Sequence, residues 1–203
     1  EEREPTLRPR YAHSMSLDQF ITSIDDAVSR GNKVPQQVEN VRNALVEALR
    51  DPDFLPNAAQ SPDLGVPYAR RLIHRDPRFT IVAMVWAPGQ ATPIHDHSGV
   101  WCVEGVYNGC ISVTRFDMQW KSGDVAHFVP HPVLEQEKGC AGSLIPPVEY
   151  HTIANGCTET AAVTIHIYGG ELERCRVFLP REDGDWDIAM RQLTYTEELV
   201  AAK

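Results

Sequence analysis

Between residues 68 and 168 the chain is divided into short apolar runs that are separated by turn signals. The runs are rich in β-branched and aromatic residues, and the turns carry Asp-Pro, Pro-Gly, Asn-Gly and Gly-Asp pairs. Many short strands at roughly even spacing favour a sandwich or barrel over alternating βα units. The strands that we predict cover residues 68–73, 79–86, 100–107, 110–116, 125–129 and 161–168.

Two helices are predicted ahead of these strands. Ser16-Leu-Asp-Gln19 has the form of a capping box, and apolar residues follow it at helical spacing until Gly31. The second helix begins near Pro35 and ends at Asp51-Pro52. We therefore expect a flexible arm over residues 1–15 and a single domain over 16–203, with the helices in 16–51 and the barrel over about 68–180. Residues 181–203 are expected to add a closing strand and a short helix.

The composition narrows the class of protein. The net charge of -9 argues against nucleic acid or an anionic membrane surface as a partner. The apolar runs are no longer than strands, and the first residues do not have the pattern of a signal peptide. Five cysteines without a CxxC pair suit reduced thiols better than a disulfide framework. We expect a soluble cytoplasmic protein, either a monomer or a weak oligomer.

Two histidines one residue apart form the first half of a predicted metal site. His95 and His97 flank Asp96 in an extended segment, so their imidazoles point to the same face. His151, with Asn155 four residues later, supplies a third histidine some fifty residues downstream. The other histidines lie in the arm, before a turn, or beside a proline, and are expected to be solvated or structural.

One predicted strand carries polar groups on a single face. Thr164, His166 and Tyr168 alternate with Val163, Ile165 and Ile167, so the polar side chains share one side of the strand. On a barrel strand this pattern predicts an apolar outer face and a hydrogen-bonded chain of polar groups inside the cavity. A buried network without any catalytic duty is the alternative.

The spacing around the histidines resembles the two-part signature of the cupins, which are small β-barrels with a metal in the mouth. The segment from about Tyr68 to Tyr168 is similar to the cysteine dioxygenase type I family, the thiol dioxygenase branch of the cupins. The resemblance rests on Tyr68-Ala-Arg70, Trp86, His95-Asp-His97, Cys102, Gly109, His151-x3-Asn155 and the Thr164/His166/Tyr168 strand. It implies a mainly β cupin fold, a jelly-roll-like barrel with N-terminal helices.

The resemblance also implies a role for each of these residues. His95, His97 and His151 would hold one Fe(II) per chain, without the carboxylate that other oxygenase sites supply. Arg70 and Tyr68 would bind the substrate carboxylate, while Arg71 points away and is expected at the surface. Tyr168 would donate a hydrogen bond to bound oxygen or carboxylate, held by His166 and Thr164. The implied reaction adds both atoms of O2 to the sulfur of L-cysteine and gives cysteine sulfinic acid, a step of cysteine catabolism towards taurine.

Cys102 and Tyr168 occupy the positions that form a thioether crosslink in the animal enzymes. Thr164 replaces the serine usual in the family. His97 and Cys102 are five residues apart, so a regular strand would aim them at opposite faces, and a bulge near Ser98-Gly99 would be needed to turn Cys102 inward. Without the bulge, Cys102 is a small buried hydrophobe.

Three alternatives stay open. A 3-mercaptopropionate dioxygenase performs the same chemistry, but relatives of that kind typically carry glutamine at the position of Arg70 and no cysteine at that of Cys102. A zinc hydrolase or lyase would also use three histidines, with Glu104 or Glu149 as the only candidate bases. A non-catalytic binding cupin is the last, and it would not require the pair of Arg70 and Tyr168.

Overall fold

The computed structural model describes residues 14–51 and 53–199, so the expected arm lies outside the described residues except for Ser14 and Met15. Two helices come first, α1 (Leu17–Arg30) and α2 (Val34–Ala48). Ser16 caps α1 in the expected capping box, since its hydroxyl accepts the Gln19 N–H and its own N–H donates to the Gln19 side chain. Both helices therefore begin where the sequence predicts.

Thirteen strands follow in the described residues. They are β1 (Ala69–Arg75), β2 (Thr80–Trp86), β3 (Ile94–His95), β4 (Cys102–Asn108), β5 (Cys110–Ser122), β6 (Val125–Pro130), β7 (Leu134–Glu137), β8 (Ala141–Leu144), β9 (His151–Asn155), β10 (Ala162–Tyr168), β11 (Arg174–Pro180), β12 (Trp186–Gln192) and β13 (Glu197–Glu198). All six predicted strands are present, and the expected mainly β cupin architecture with N-terminal helices is confirmed.

The strands form two sheets. The six-stranded sheet has the order β13-β1-β2-β10-β4-β8, and the seven-stranded sheet has the order β6-β12-β11-β3-β9-β5-β7. Every pairing between these strands is antiparallel except that of β1 with β13. The two inner faces enclose the space into which the candidate site residues point.

Both faces of the six-stranded sheet are covered. On β2, Ile81, Ala83 and Val85 pack with the helices, whereas Val82, Met84 and Trp86 belong to the cluster between the sheets. This double burial explains why β2 is a continuous apolar run. β10 follows the same rule, with Val163, Ile165 and Ile167 on the helix side, so Thr164, His166 and Tyr168 face inward as predicted.

The C-terminal segment differs from the expected closing strand and short helix. Residues 181–199 contain the strands β12 and β13 and no helix. Gly184 allows a tight turn at φ +87°, so β12 folds back on β11 and pairs with it along its whole length. The alternating Trp186 and Ile188 pack beside Phe128 and Phe178, which fixes an extended conformation.

Arg71 was expected at the surface, and this expectation is wrong. The side chain does point away from Arg70, but it is buried and its Nε donates to Glu197 at 3.2 Å. The physical reason is the parallel pairing of β13 with β1, which places Glu197 beside Arg71. The edge of β1 is thus covered by β13.

The expectation of five reduced thiols is also wrong. Cys110 and Cys157 form a disulfide with Cα atoms 5.7 Å apart, and Cys102, Cys140 and Cys175 are free. Pairing of β5 with β9 brings the two cysteines together across 47 residues of sequence. No described helix is both long and apolar enough to cross a bilayer.

A glycine in β4 tests how closely α2 is packed on the sheet. A Cβ atom at Gly105 would lie 2.7 Å from Leu49 Cδ1 and 2.9 Å from Leu45 Cδ2. We expect Gly105→Ala to lower the free energy of unfolding by about 1–3 kcal/mol through overpacking, as measured by urea unfolding. Gly142→Ala on the neighbouring β8 is the matched control, since its Cβ would meet nothing closer than 3.9 Å. Equal stability of the two variants would contradict the packing argument.

Candidate metal centre

Three histidines converge between the two sheets. His95 ends β3, His97 follows two residues later, and His151 begins β9 directly opposite His95 in the antiparallel pairing. One ring nitrogen from each histidine lies within 4.8 Å of the others, and the Nε2 atoms of His95 and His151 are 3.2 Å apart. Asp96, between the first two, is fully buried on the other side, where it accepts the Arg176 backbone N–H at 2.8 Å. The sequence prediction brought together the same three residues.

Each histidine has a different oxygen at its Nδ1 atom. His95 Nδ1 lies 3.1 Å from the Pro93 carbonyl, His97 Nδ1 lies 3.1 Å from Glu149 Oε2, and His151 Nδ1 lies 3.7 Å from Glu104 Oε1. For His95 and His97 this oxygen acceptor favours the tautomer that carries its proton on Nδ1, which leaves the Nε2 lone pair free. His151 Nδ1 has no hydrogen-bond partner in the described residues, and its Nε2 atom lies beside that of His95. Three Nε2 atoms are therefore aimed at one point.

Burial keeps His95 and His151 neutral. The pKa of His95 is lowered to about 3, first by burial and then by the charge of His97. The pKa values of His151 and His166 also lie well below the ordinary value, and burial is again the largest cause. Neutral imidazoles are the form that binds a metal, so the residues present fit a divalent ion such as Fe(II) or Zn(II).

Two buried carboxylates stand behind the histidines rather than among them. Glu149 Oε2 accepts the backbone N–H of His97 at 2.7 Å, and the same oxygen lies 3.1 Å from Nδ1 of the His97 ring. Glu104 lies between His151 and His166, with its Oε2 atom 3.5 Å from His166 Nδ1. Burial raises the pKa of Glu104 to about 7. The sequence treats these residues only as candidate bases, although period-two spacing from Cys102 places Glu104 on the inner face.

The polar chain on β10 is formed in part. The Trp86 indole donates to Thr164 Oγ1 at 2.9 Å, and Thr164 Oγ1 lies 2.8 Å from His166 Nε2. The indole can only donate, so Thr164 Oγ1 accepts from Trp86, and the same oxygen is in hydrogen-bond contact with His166 Nε2. Tyr168 stacks on His166 with centroids 6.0 Å apart. The predicted hydrogen-bonded chain therefore runs from Trp86 through Thr164 to His166, and Tyr168 contacts it through its ring.

Cys102 and Tyr168 are direct cross-strand neighbours on β4 and β10, and both are buried. The chain reverses at Ser98 and Gly99, with φ values of 51° and 88°, and the Val100 N–H donates to the His97 carbonyl. This tight turn, and not the expected bulge, reverses the chain so that the Cys102 side chain faces inward. Burial raises the pKa of both groups well above their ordinary values, so both carry their protons.

Arg70 lies on β1, in the same sheet as Cys102 and Tyr168, and Tyr68 directly precedes that strand. Arg70 is buried, and Nη1 donates to the Thr194 carbonyl at 3.2 Å, but Nε and Nη2 have no hydrogen-bond partner in the described residues. Its charge lowers the pKa of both His166 and Tyr168. Tyr68 is half-buried and stacks on Trp86 at 4.7 Å. Two unpartnered buried N–H groups suit an anion from outside the chain.

The remaining described histidines lie outside the centre. His74 pairs with Asp76, His127 with Asp185 and His131 with Asp117. These partners agree with the structural or solvated roles expected from the sequence, and His13 lies outside the described residues.

Comparisons with known proteins give a consistent result. A family model described as cysteine dioxygenase type I matches residues 63–181. Cysteine dioxygenase type 1 of Danio rerio is 25% identical over 142 residues, which are 70% of this chain and 69% of that protein. The enzyme of Rattus norvegicus is 25% identical over 112 residues, 55% of each chain. The chain thus spans about half the length of this mammalian relative.

Solved structures also match. One is a conserved protein with a double-stranded β-helix domain from Klebsiella pneumoniae, with 15% identity and a TM-score of 0.45 over 57% of this chain and 88% of that one. Another is the cupin domain of Schizosaccharomyces pombe Cnp3, with 15% identity and a TM-score of 0.38 over 51% and 60% of the two chains.

Glu149 offers a test of the metal centre. Glu149→Gln weakens the acceptor that holds His97 in its tautomer, so we expect the affinity for Fe(II) to fall about 10- to 100-fold. Anaerobic competition against a chromogenic chelator measures this affinity. Glu137→Gln, an exposed change of the same kind on β7, should leave it unaltered. Equal affinities of the two variants would argue against the positioning role of Glu149.

Glu104 gives a pH dependence with a defined sign. Its pKa is about 7 in the folded protein and has an ordinary value of 4.5, so between these pH values the folded state retains a proton that the unfolded chain has released. The contribution of Glu104 to stability therefore falls as the pH rises. We expect the metal-free protein to lose stability relative to Glu104→Gln by up to about 1.4 kcal/mol per pH unit in this window.

Urea unfolding of both metal-free proteins at pH 5, 6, 7 and 8 measures this difference. The buried histidines are present in both proteins, so their titration cancels when the two are subtracted. A difference that stays constant across the series would show that Glu104 has an ordinary pKa.

Proposed function

Because the chain belongs to the cysteine dioxygenase type I family, we propose that it is an iron-dependent thiol dioxygenase that adds both atoms of O2 to the sulfur of a small thiol carboxylate. The observation that carries the proposal is the position of Arg70. The register of β1, β2 and β10 places Arg70 on the same face as Met84 and Thr164, and its Nε and Nη2 atoms are buried without a hydrogen-bond partner in the described residues. On that face the Tyr168 ring lies 6.0 Å from the ring of His97. An anion-binding group on the face that meets the metal centre matches a substrate with a carboxylate at one end and a thiol at the other.

The histidine donors fit Fe(II). His95, His97 and His151 would hold the ion through Nε2, and the bound ion would supply the open positions and the redox-active site at which a thiolate is joined to O2, with the thiolate sulfur giving up the electrons that O2 gains. A neutral ligand set leaves the full charge of the metal, which favours binding of the thiol as thiolate. The substrate then supplies the negative charge that a carboxylate ligand provides in other oxygenase sites.

The other residues position the substrate. Arg70 grips the carboxylate through two parallel N–H groups, and this fixes the direction of the sulfur atom. Tyr168 keeps its proton, because burial raises its pKa, so its hydroxyl is a hydrogen-bond donor inside the cavity. His166 and Thr164 hold the strand face through the bond to Trp86, and these buried side chains exclude water.

L-cysteine is the substrate that we expect, with cysteine sulfinic acid as the product. Arg70 and Cys102 distinguish the chain from relatives specialised for 3-mercaptopropionate, which is the alternative substrate. A zinc hydrolase or lyase is less well supported. Glu149 and Glu104 both lie on the Nδ1 side of the histidines, so neither faces the open side, where a general base must stand.

Oxygen uptake tests the proposal. The protein is loaded with Fe(II) under anaerobic conditions and mixed with oxygenated buffer containing cysteine or 3-mercaptopropionate. We expect uptake of one O2 per thiol and formation of the matching sulfinate, identified by mass spectrometry, with cysteine preferred. Absence of uptake with either thiol would reject the dioxygenase and favour the hydrolytic or binding alternatives.

Arg70→Ala tests the carboxylate clamp. Loss of a charge-assisted bidentate contact is worth about 1.5–3 kcal/mol, so we expect the KM for cysteine to rise at least tenfold while the iron content stays the same. Arg71→Ala is the matched control, because its side chain lies on the other face of β1 and pairs with Glu197. An unchanged KM in Arg70→Ala would reject the clamp.

The crosslink is tested by intact mass. Joining Cys102 Sγ to a ring carbon of Tyr168 removes one hydrogen from each residue, with O2 as the oxidant. After turnover with cysteine we expect a protein population lighter by two hydrogens, and Cys102→Ala should lack this population. Cys175→Ala, at another buried free cysteine, should retain it. An unchanged mass in the native protein would show that the pair stays reduced.

A further inference from the structure

A cavity of about 320 Å3 is lined by two arginines. Arg70 from β1 and Arg191 from β12 contribute to its wall, together with Tyr68 and Thr194. No lining residue in the described part of the chain carries a carboxylate. The size is typical of a small-molecule pocket, and two cations around it create a strongly positive site in a chain whose net charge is -9.

Strand register fixes the direction of Arg191. β12 pairs with β11 so that Arg191 stands opposite Cys175, which is buried, and two residues further along β11 Val177 stands opposite His95. Cross-strand partners in an antiparallel sheet share a face. Arg191 therefore projects from the same inner face as the first metal-binding histidine.

The two guanidiniums act on the same groups. Burial raises the pKa of Tyr68, and the charges of Arg70 and Arg191 both oppose this rise, with a hydrogen bond from Arg191 adding to the effect. Arg70 and Arg191 likewise both oppose the rise in the pKa of Cys175. The positive charges of Arg70 and Arg191 thus act on the same part of the cavity, around Tyr68 and Cys175.

Neither guanidinium is neutralised by the chain. Among the described residues, no carboxylate lies within ion-pair distance of Arg70 or Arg191, although acidic side chains outnumber basic ones by 28 to 19. Six other arginines have such a partner, namely Arg50, Arg71, Arg75, Arg78, Arg176 and Arg181. Glu197, in the C-terminal segment, pairs with Arg71. Two arginines that line one cavity without an ion-pair partner suit a ligand with more than one negative group.

We propose that Arg191 is a second substrate-binding residue, and that the pocket takes a thiol bearing two carboxylates, one held by Arg70 and the other by Arg191. The inference rests on the proposed thiol dioxygenase function and extends its substrate class beyond monocarboxylates such as cysteine. Arg191 lies beyond the segment 63–181 that the family model matches, so the family relationship assigns it no role. Guanidinium groups are suited to carboxylates because their paired N–H groups match the two oxygens.

A pair of thiols that differ by one carboxylate isolates the effect of Arg191. Mercaptosuccinate is 3-mercaptopropionate with a second carboxylate on the carbon that bears sulfur. We expect the iron-loaded protein to oxidise mercaptosuccinate with at least tenfold higher kcat/KM than 3-mercaptopropionate. Arg191→Gln should lower this ratio at least tenfold. Arg174→Gln, an exposed change of equal charge on β11, should leave the ratio unaltered.

A binding experiment without metal or sulfur supports the same distinction. In metal-free protein at low ionic strength, calorimetry should show succinate binding at least tenfold more tightly than propionate, and Arg191→Gln should remove this preference. A ratio that is equal in the native protein and Arg191→Gln would overturn the role of Arg191, while oxygen uptake with any of the thiols would still support the dioxygenase. Absence of uptake with every thiol would reject the dioxygenase itself, and the succinate preference would then decide the role of Arg191 alone.

Discussion

The antiparallel pairing of His95 with His151 is the constraint on which the centre depends. The two residues are 56 positions apart, and the pairing of β3 with β9 places them face to face. A slip of one residue would turn one imidazole to the opposite side of the sheet. The neighbouring pairs of β11 with β3 and β9 with β5 hold this register from both sides. The strand register that the seven-stranded sheet needs for its backbone pairing is therefore the same register that brings the histidines together.

The charge around the centre is arranged in two layers. Neutral imidazoles face the point where the metal would bind, and the carboxylates of Glu149 and Glu104 stand behind two of them. Carboxylates in this position increase the basicity of the histidines without occupying an open position. The third histidine relies on a backbone carbonyl at Pro93 instead. The three histidine rings thus share one orientation although a different group lies beside Nδ1 of each.

The sequence predicted the parts of this structure that have a local signal. The capping box at Ser16, the alternation on β10 and the spacing of His95 and His97 each follow from residues close in the chain. The strands β3 and β9 were missed as elements because one has two residues and the other mixes polar with apolar side chains. The burial of Arg71, the disulfide of Cys110 with Cys157 and the position of Arg191 depend on pairings between distant segments. No periodicity within one segment reports such pairings.

The residues around the cavity come from two parts of the chain, one inside and one outside the segment that the family model matches. The histidines and Arg70 lie within the segment shared with the family, whereas β12 and the residues after it close the cavity from outside that segment. β12 is anchored by backbone pairing to β11 and by Trp186 and Ile188 in a separate apolar cluster. Its inward side chains can therefore change during divergence without disturbing the reaction centre. The three histidines and the arginine of β12 thus lie on separate structural supports, and a substitution on β12 can alter the charge of the cavity while the pairing of β3 with β9 stays intact.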